Sequence, residues 1–113
     1  MTVIPRPQPF TLHVADPVLQ DLCARLSAVR WPDEAPGPPW SYGTSLDYMR
    51  ELVAYWRDRF DWRAQEARLN GLRQATVSLA GIELHYIHEE GRGPDPVPLL
   101  LSHGWPGSVL ATG

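Results

Sequence analysis

Apolar positions recur at steps of three and four through the first two thirds of the chain. Leu19, Leu22, Cys23, Leu26 and Val29 form one stripe, which predicts an amphipathic helix. Asp16-Pro17 marks its start, an N-cap acid followed by proline at the first helical position. Pro32 places its end near Val29 to Trp31. The segment Pro32 to Pro39 has no period and reads as a loop. A second helix is expected from about Thr44, where Asp47 three residues on suggests a capping box. Its stripe is Leu46, Met49, Val53, Trp56 and Phe60. A short third helix covers Trp62 to Leu69, with Asp61 as N-cap and Asn70-Gly71 as its stop. Ahead of all three, Pro5 to Pro9 alternates proline with polar residues, as an extended arm does.

After residue 73 the period falls to two. Ala75, Val77 and Leu79 alternate with polar neighbours, Ala80-Gly81 is a turn, and Ile82, Leu84 and Tyr86 alternate again. That is a β-hairpin. Glu90 to Pro98 is loop. Val97 to Leu101 is uninterrupted apolar, the pattern of a strand buried on both faces of a parallel sheet. Val109 to Ala111 could begin a helix. The expected class is therefore α/β, with a helical part and extended arm over 1–73 and strands over 74–113. A buried parallel strand needs neighbours on both edges and helices on both faces. One hairpin and one such strand make an incomplete sheet, to be completed by a partner chain or by a longer protein. An isolated chain would expose Val97 to Leu101 and aggregate or stay partly molten.

Composition narrows the function classes. The 113 residues amount to about one small domain, and 43% hydrophobic with 20% charged residues fits a globular chain. A net charge of -3 argues against a nucleic-acid partner. No apolar stretch approaches the roughly 18–20 residues of a membrane span. The start, Met1 to Pro7, lacks a signal-peptide profile. Cys23 is the only cysteine, so there is no disulfide framework, and with no targeting signal the expected compartment is the cytoplasm. All ten basic residues are arginine, which reads as GC-rich coding bias rather than chemistry.

Candidate chemistry is sparse. His85 and His88 resemble a metal pair, but their odd separation on a strand points them to opposite faces, and no metal site is expected. His13 reads as a surface or packing residue. Cys23, on the apolar stripe, reads as a buried, inert thiol. Trp56 stands at a helical core position, and Trp31, Trp40 and Trp62 read as buried anchors of loops rather than a ligand cage. Arg50, Glu51, Arg57 and Asp58 read as a solvated helix face.

The loop after the apolar run, His103-Gly104-Trp105-Pro106-Gly107-Ser108, resembles the first active-site loop of α/β-hydrolase epoxide hydrolases. The upstream half is similar to the N-terminal domain of the microsomal-type group, which includes juvenile hormone epoxide hydrolases. The matching segments are Pro9-Phe10 with Val14, Arg30-Trp31-Pro32-Asp33-Glu34, Trp40 with Tyr42-Gly43, Leu46 with Tyr48, Tyr55-Trp56, Phe60-Asp61-Trp62-Arg63, and Glu66 with Leu69-Asn70. The ordered tryptophan series makes the resemblance specific over residues 9–109.

The resemblance implies a helical N-terminal domain followed by an incomplete α/β-hydrolase core, a hairpin plus one buried parallel strand. It implies a parent reaction in which an aspartate opens the epoxide, giving an alkyl-enzyme ester. Water activated by a histidine then cleaves that ester to release a vicinal diol. The backbone N–H of Trp105 would be one of two oxyanion donors. Pro106 has no N–H and cannot serve. Gly104 would permit the tight backbone path, and His103 would hold the loop rather than move protons. A cis Trp105–Pro106 bond is also implied. No metal and no organic cofactor is implied. The implied partners are a small-molecule epoxide and the C-terminal catalytic segment, with neither nucleic acid nor membrane. Nucleophile elbow, acid, base and lid tyrosines lie downstream in that family, so this chain alone is expected to be inactive. Tyr42, Tyr48, Tyr55 and Tyr86 are not the lid tyrosines. Leu110 to Gly113 departs from the acid-aromatic pair usual in the family. Two other readings are a module that docks on a separate hydrolase chain, and a haloalkane or ester hydrolase, which the tryptophan-rich half argues against.

Overall fold

The computed structural model describes residues 5–112. Met1 to Ile4 and Gly113, on which the reading of the two ends partly rests, lie outside the described residues. The chain forms two compact units, His13–Ala64 and Met1–Leu12 joined with Gln65–Gly113.

The first unit holds helices α1 (Asp16–Ser27) and α2 (Leu46–Asp58), which contact each other. Leu19, Leu22 and Leu26 on α1 and Leu46, Met49 and Val53 on α2 are half-buried, as the stripes predict. Other details differ. The α1 N-cap is Ala15, with no side-chain cap. Asp16 is the first helical residue, and its carboxylate pairs with Arg63 instead. The helix stops at Ser27, so Val29 falls outside it and is exposed. Cys23 is exposed, not buried. It stands next to Leu22 on the edge of the stripe, where the crossing of α2 does not cover it. The N-cap of α2 is Ser45, whose Oγ accepts the Tyr48 N–H at 3.5 Å. Glu34 caps it a second time by accepting the Leu46 N–H at 3.1 Å. Trp56 and Phe60 are exposed at 45% and 40%, so the helix face in contact is narrower than the apolar pattern.

α3 (Trp62–Asn70) begins where expected, with Asp61 Oδ1 accepting the Ala64 N–H at 2.9 Å. Its end holds the second unit together. Leu69 is the one buried hydrophobic residue among the described residues, and Glu66 is buried with it. The hairpin is present as β2 (Gln74–Leu79) and β3 (Ile82–Ile87), antiparallel, with Leu79 opposite Ile82. Both turn residues have positive φ, 50° at Ala80 and 83° at Gly81, the backbone that matches strand twist in two-residue hairpins.

The arm contributes a third strand, β1 (Gln8–Pro9), paired antiparallel to β2 in the order β1-β2-β3. Proline is tolerated there because β1 is an edge. Phe10 donates its N–H to the Gln74 carbonyl at 3.0 Å. Asn70 then clamps the arm, accepting the Leu12 N–H and donating to the Leu12 carbonyl, both at 2.8 Å.

The apolar run Val97 to Leu101 is neither paired nor buried. Leu100 is 94% exposed and Val97 86%. The expected buried strand is absent here because no described segment of the chain offers it a parallel neighbour. Beyond it, Val109–Thr112 forms a single 3-10 turn.

Candidate functional site

The loop 102–108 is built by short-range contacts. Gly107 donates its N–H to the Gly104 carbonyl at 2.6 Å, closing a four-residue turn around Trp105 and Pro106. The Trp105–Pro106 peptide is cis. His103 Nδ1 lies 3.3 Å from the same Gly104 carbonyl. A carbonyl only accepts, so Nδ1 carries the proton in that contact. Ser108 Oγ accepts the Leu110 N–H at 3.3 Å and opens the following 3-10 turn.

His103, Gly104, Trp105 and Pro106 therefore stand together, as their adjacency requires, and the histidine is engaged with the loop backbone. The Trp105 main-chain N–H makes no hydrogen bond among the described residues. Its indole is 95% exposed. A Cβ on Gly104 would meet no atom within 4 Å. The loop thus offers a preplaced main-chain donor on open backbone. A donor of this kind stabilises negative charge that develops on an oxygen, provided a reacting group is brought to it. No carboxylate or hydroxyl nucleophile contacts His103 among the described residues.

Two exposed ion pairs define the local electrostatics elsewhere. Arg73 Nη1 meets Glu90 at 2.5 Å, and its N–H donates to Glu89 at 3.0 Å, tying the start of the hairpin to the loop that leaves it. Hydrogen bonding and charge from Arg73 hold the Glu90 carboxyl below its usual range. Arg57 does the same to Asp58 through two 2.6 Å contacts.

Sequence reasoning missed a polar cluster beside β1. His85 Nε2 lies 2.9 Å from Gln74 Oε1, and Gln74 Nε2 donates to the Leu69 carbonyl at 2.9 Å. That fixes the amide orientation, so His85 Nε2 is the donor. Phe10 meets the imidazole edge-on at 4.9 Å between centroids. Alternation placed Glu83 and His85 on one face, but only the pairing of β1 shows that this face is covered at His85.

The family model for the epoxide hydrolase N terminus matches residues 7–112. The chain belongs to this family. Among curated relatives, a Stigmatella aurantiaca protein bearing an epoxide hydrolase name is 42% identical over 90% of the chain. Epoxide hydrolase 1 of Oryctolagus cuniculus is 32% identical over 91%. The chain spans 23% and 24% of those two proteins, about a quarter of their length. Among solved structures, the Aspergillus niger epoxide hydrolase superposes with a TM-score of 0.81 at 31% identity, covering 91% of this chain and 28% of that one. Juvenile hormone epoxide hydrolase from Bombyx mori gives 0.83 at 24% identity, covering 94% and 29%. The helices and antiparallel sheet of this epoxide hydrolase N-terminal chain are thus part of an α/β-hydrolase fold.

Proposed function

We propose that this chain is the N-terminal part of an enzyme that hydrates an epoxide to a vicinal diol through an alkyl-enzyme ester, and that its 102–108 loop supplies one oxyanion donor. The observation that carries this reading is the free Trp105 N–H on a turn closed by Gly104 and Gly107, in a chain of the epoxide hydrolase N-terminal family. In the tetrahedral intermediate formed when water attacks the ester, that N–H would face the new oxyanion. His103, Gly104 and Pro106 shape the loop that carries it. Residues 1–73 form the N-terminal domain, and 74–113 supply the first strands of the hydrolase core. Val97 to Leu101 becomes a buried strand once the catalytic segment is joined. The partners are that segment and a small-molecule epoxide. The negative net charge and the absence of a long apolar helix among the described residues agree with a cytoplasmic enzyme.

The test compares the chain alone with the chain joined to its catalytic segment, using styrene oxide as the probe. The expected outcome is no turnover by the chain alone and turnover by the joined protein. An ester in place of the Trp105 amide, introduced by semisynthesis, should lower kcat about 100- to 1,000-fold with KM little changed. Turnover by the chain alone, or full activity with the ester, would overturn the reading.

A further inference from the structure

A cavity of about 390 Å³ lies in the His13–Ala64 unit, against the loop between α1 and α2. Its volume falls in the range of about 300–1,000 Å³ usual for ligand sites. Trp31, Trp40 and Tyr42 line it with rings, Asp33 and Glu34 with carboxylates, and no arginine, lysine or histidine lines it. Rings carry negative faces, so the whole lining favours a cation.

The walls are held in place from within the unit. Tyr42 packs over Gly37, where a Cβ would come within 3.4 Å of the ring. Trp40 has a φ of 70°, rare for a bulky residue, and its ring meets Tyr48 on α2 at 5.1 Å. The Ser41 N–H donates to the Pro38 carbonyl at 3.2 Å. Glu34 is committed to capping α2. Asp33 has no hydrogen bond or ion pair among the described residues and is the carboxylate left to a ligand. Trp31 already accepts a cation on its ring, since the Arg50 guanidinium carbon lies 5.6 Å from its centroid beside the neighbouring cavity.

We propose that this loop is a docking site for an arginine side chain presented by a polypeptide partner. A planar guanidinium stacks on aromatic faces and forks onto a carboxylate, which matches Trp40, Tyr42 and Asp33. The openness of the site favours a side chain over a free small molecule. Small-ligand pockets cover most of their ligand, whereas Tyr42 is 81% and Trp40 57% exposed. A side chain carried on a polypeptide surface brings the remaining cover with it.

The test titrates the 113-residue chain with acetyl-glycyl-arginyl-glycine amide and follows the Trp31 and Trp40 indole N–H resonances. The neutral citrulline peptide and tetramethylammonium serve as the other arms. The expected result is a saturable shift of both indoles with the arginine peptide, and at least about threefold weaker binding of the citrulline peptide. Asp33→Asn should weaken the arginine peptide about 3- to 10-fold. Trp40→Leu should do so about 2- to 5-fold. Asp33 makes no bond within the chain, so its variant keeps the fold and decides the matter by itself. The proposal is overturned by the absence of a saturable shift, whether from an open loop or from want of affinity. Equal binding of the citrulline peptide, or an Asp33→Asn chain that binds like the parent, also overturns it. Tighter binding of tetramethylammonium would make the site one for small quaternary cations and equally overturn it.

Discussion

Asn70 is a single exposed residue with a large structural reach, because both ends of its amide hold the backbone of Leu12, 58 positions away. Asn70→Ala removes two hydrogen bonds with a net worth of about 1–2 kcal/mol. The expected outcome is faster amide exchange at Phe10 and Leu12 with the hairpin protected as before. Loss of hairpin protection as well would mean that β1 and the hairpin open together. Glu90 titrates with a definite sign. Arg73 lowers its carboxyl in the folded chain relative to an ordinary glutamate near about 4.3. The contribution is therefore fully present above that ordinary value and is lost as pH falls through the lowered one. The pair is exposed, so the effect is small. A carboxyl-carbon NMR titration should show a lowered midpoint for Glu90, restored towards the ordinary value by Arg73→Gln. Neither residue stood out in the sequence. Asn70 read correctly as a helix stop, but a stop signal does not say which backbone the side chain reaches. Cys23 read wrongly, since position on an apolar stripe gives a direction around a helix and not the width of the neighbour that covers it.

Each helix and strand owes its place mainly to local chemistry, and here the sequence is most legible. Asp61 caps α3, Pro17 opens α1, and Ala80-Gly81 turns the hairpin, all within a few residues of where the pattern put them. The hairpin turn gives a two-sided prediction. Gly81 holds a φ of 83°, so Gly81→Ala should destabilise the hairpin by about 1–2 kcal/mol. Ala80 already bears that strain at 50°, so Ala80→Gly should stabilise by about 0.5–1 kcal/mol once glycine's larger unfolded-state entropy is subtracted. Thermal unfolding followed at a hairpin resonance checks both, and shifts of the same sign would refute the turn geometry. β1 was not legible as a strand. Two residues with a proline show no alternation, and the strand exists only because β2 presents an unpaired edge.

At the scale of the whole molecule, the apolar surface is the dominant fact. Large hydrophobic residues are exposed along α2 at Tyr48, Leu52, Tyr55 and Trp56, and along Val97 to Leu101. Exposed apolar surface of this kind marks an interaction face or an aggregation hazard. The isolated chain should self-associate through the 97–101 run. Leu100→Glu should lower light scattering by the chain alone, since Leu100 is 94% exposed and a charge there meets water. The same substitution in the joined hydrolase should abolish folding, because a buried unpaired carboxylate is not tolerated in a sheet interior. Unchanged scattering by the first, or a well-folded second, would show that this run is not the strand its pattern describes.

By itself the sequence determined the three helices, the hairpin, the order of elements and the family, because caps, turns and periodicity act over a few residues and leave their mark in order. It also brought His103 to Pro106 together, since neighbours in sequence are neighbours in space. Only the tertiary structure decided that the arm becomes a strand on β2, that Asn70 clamps it, and that Val97 to Leu101 stays unpaired in this chain. Those outcomes depend on which distant backbone presents an open hydrogen-bonding edge. Local pattern carries no record of that, because a strand's alternation or apolar run states what it needs and not whether a partner is there to supply it.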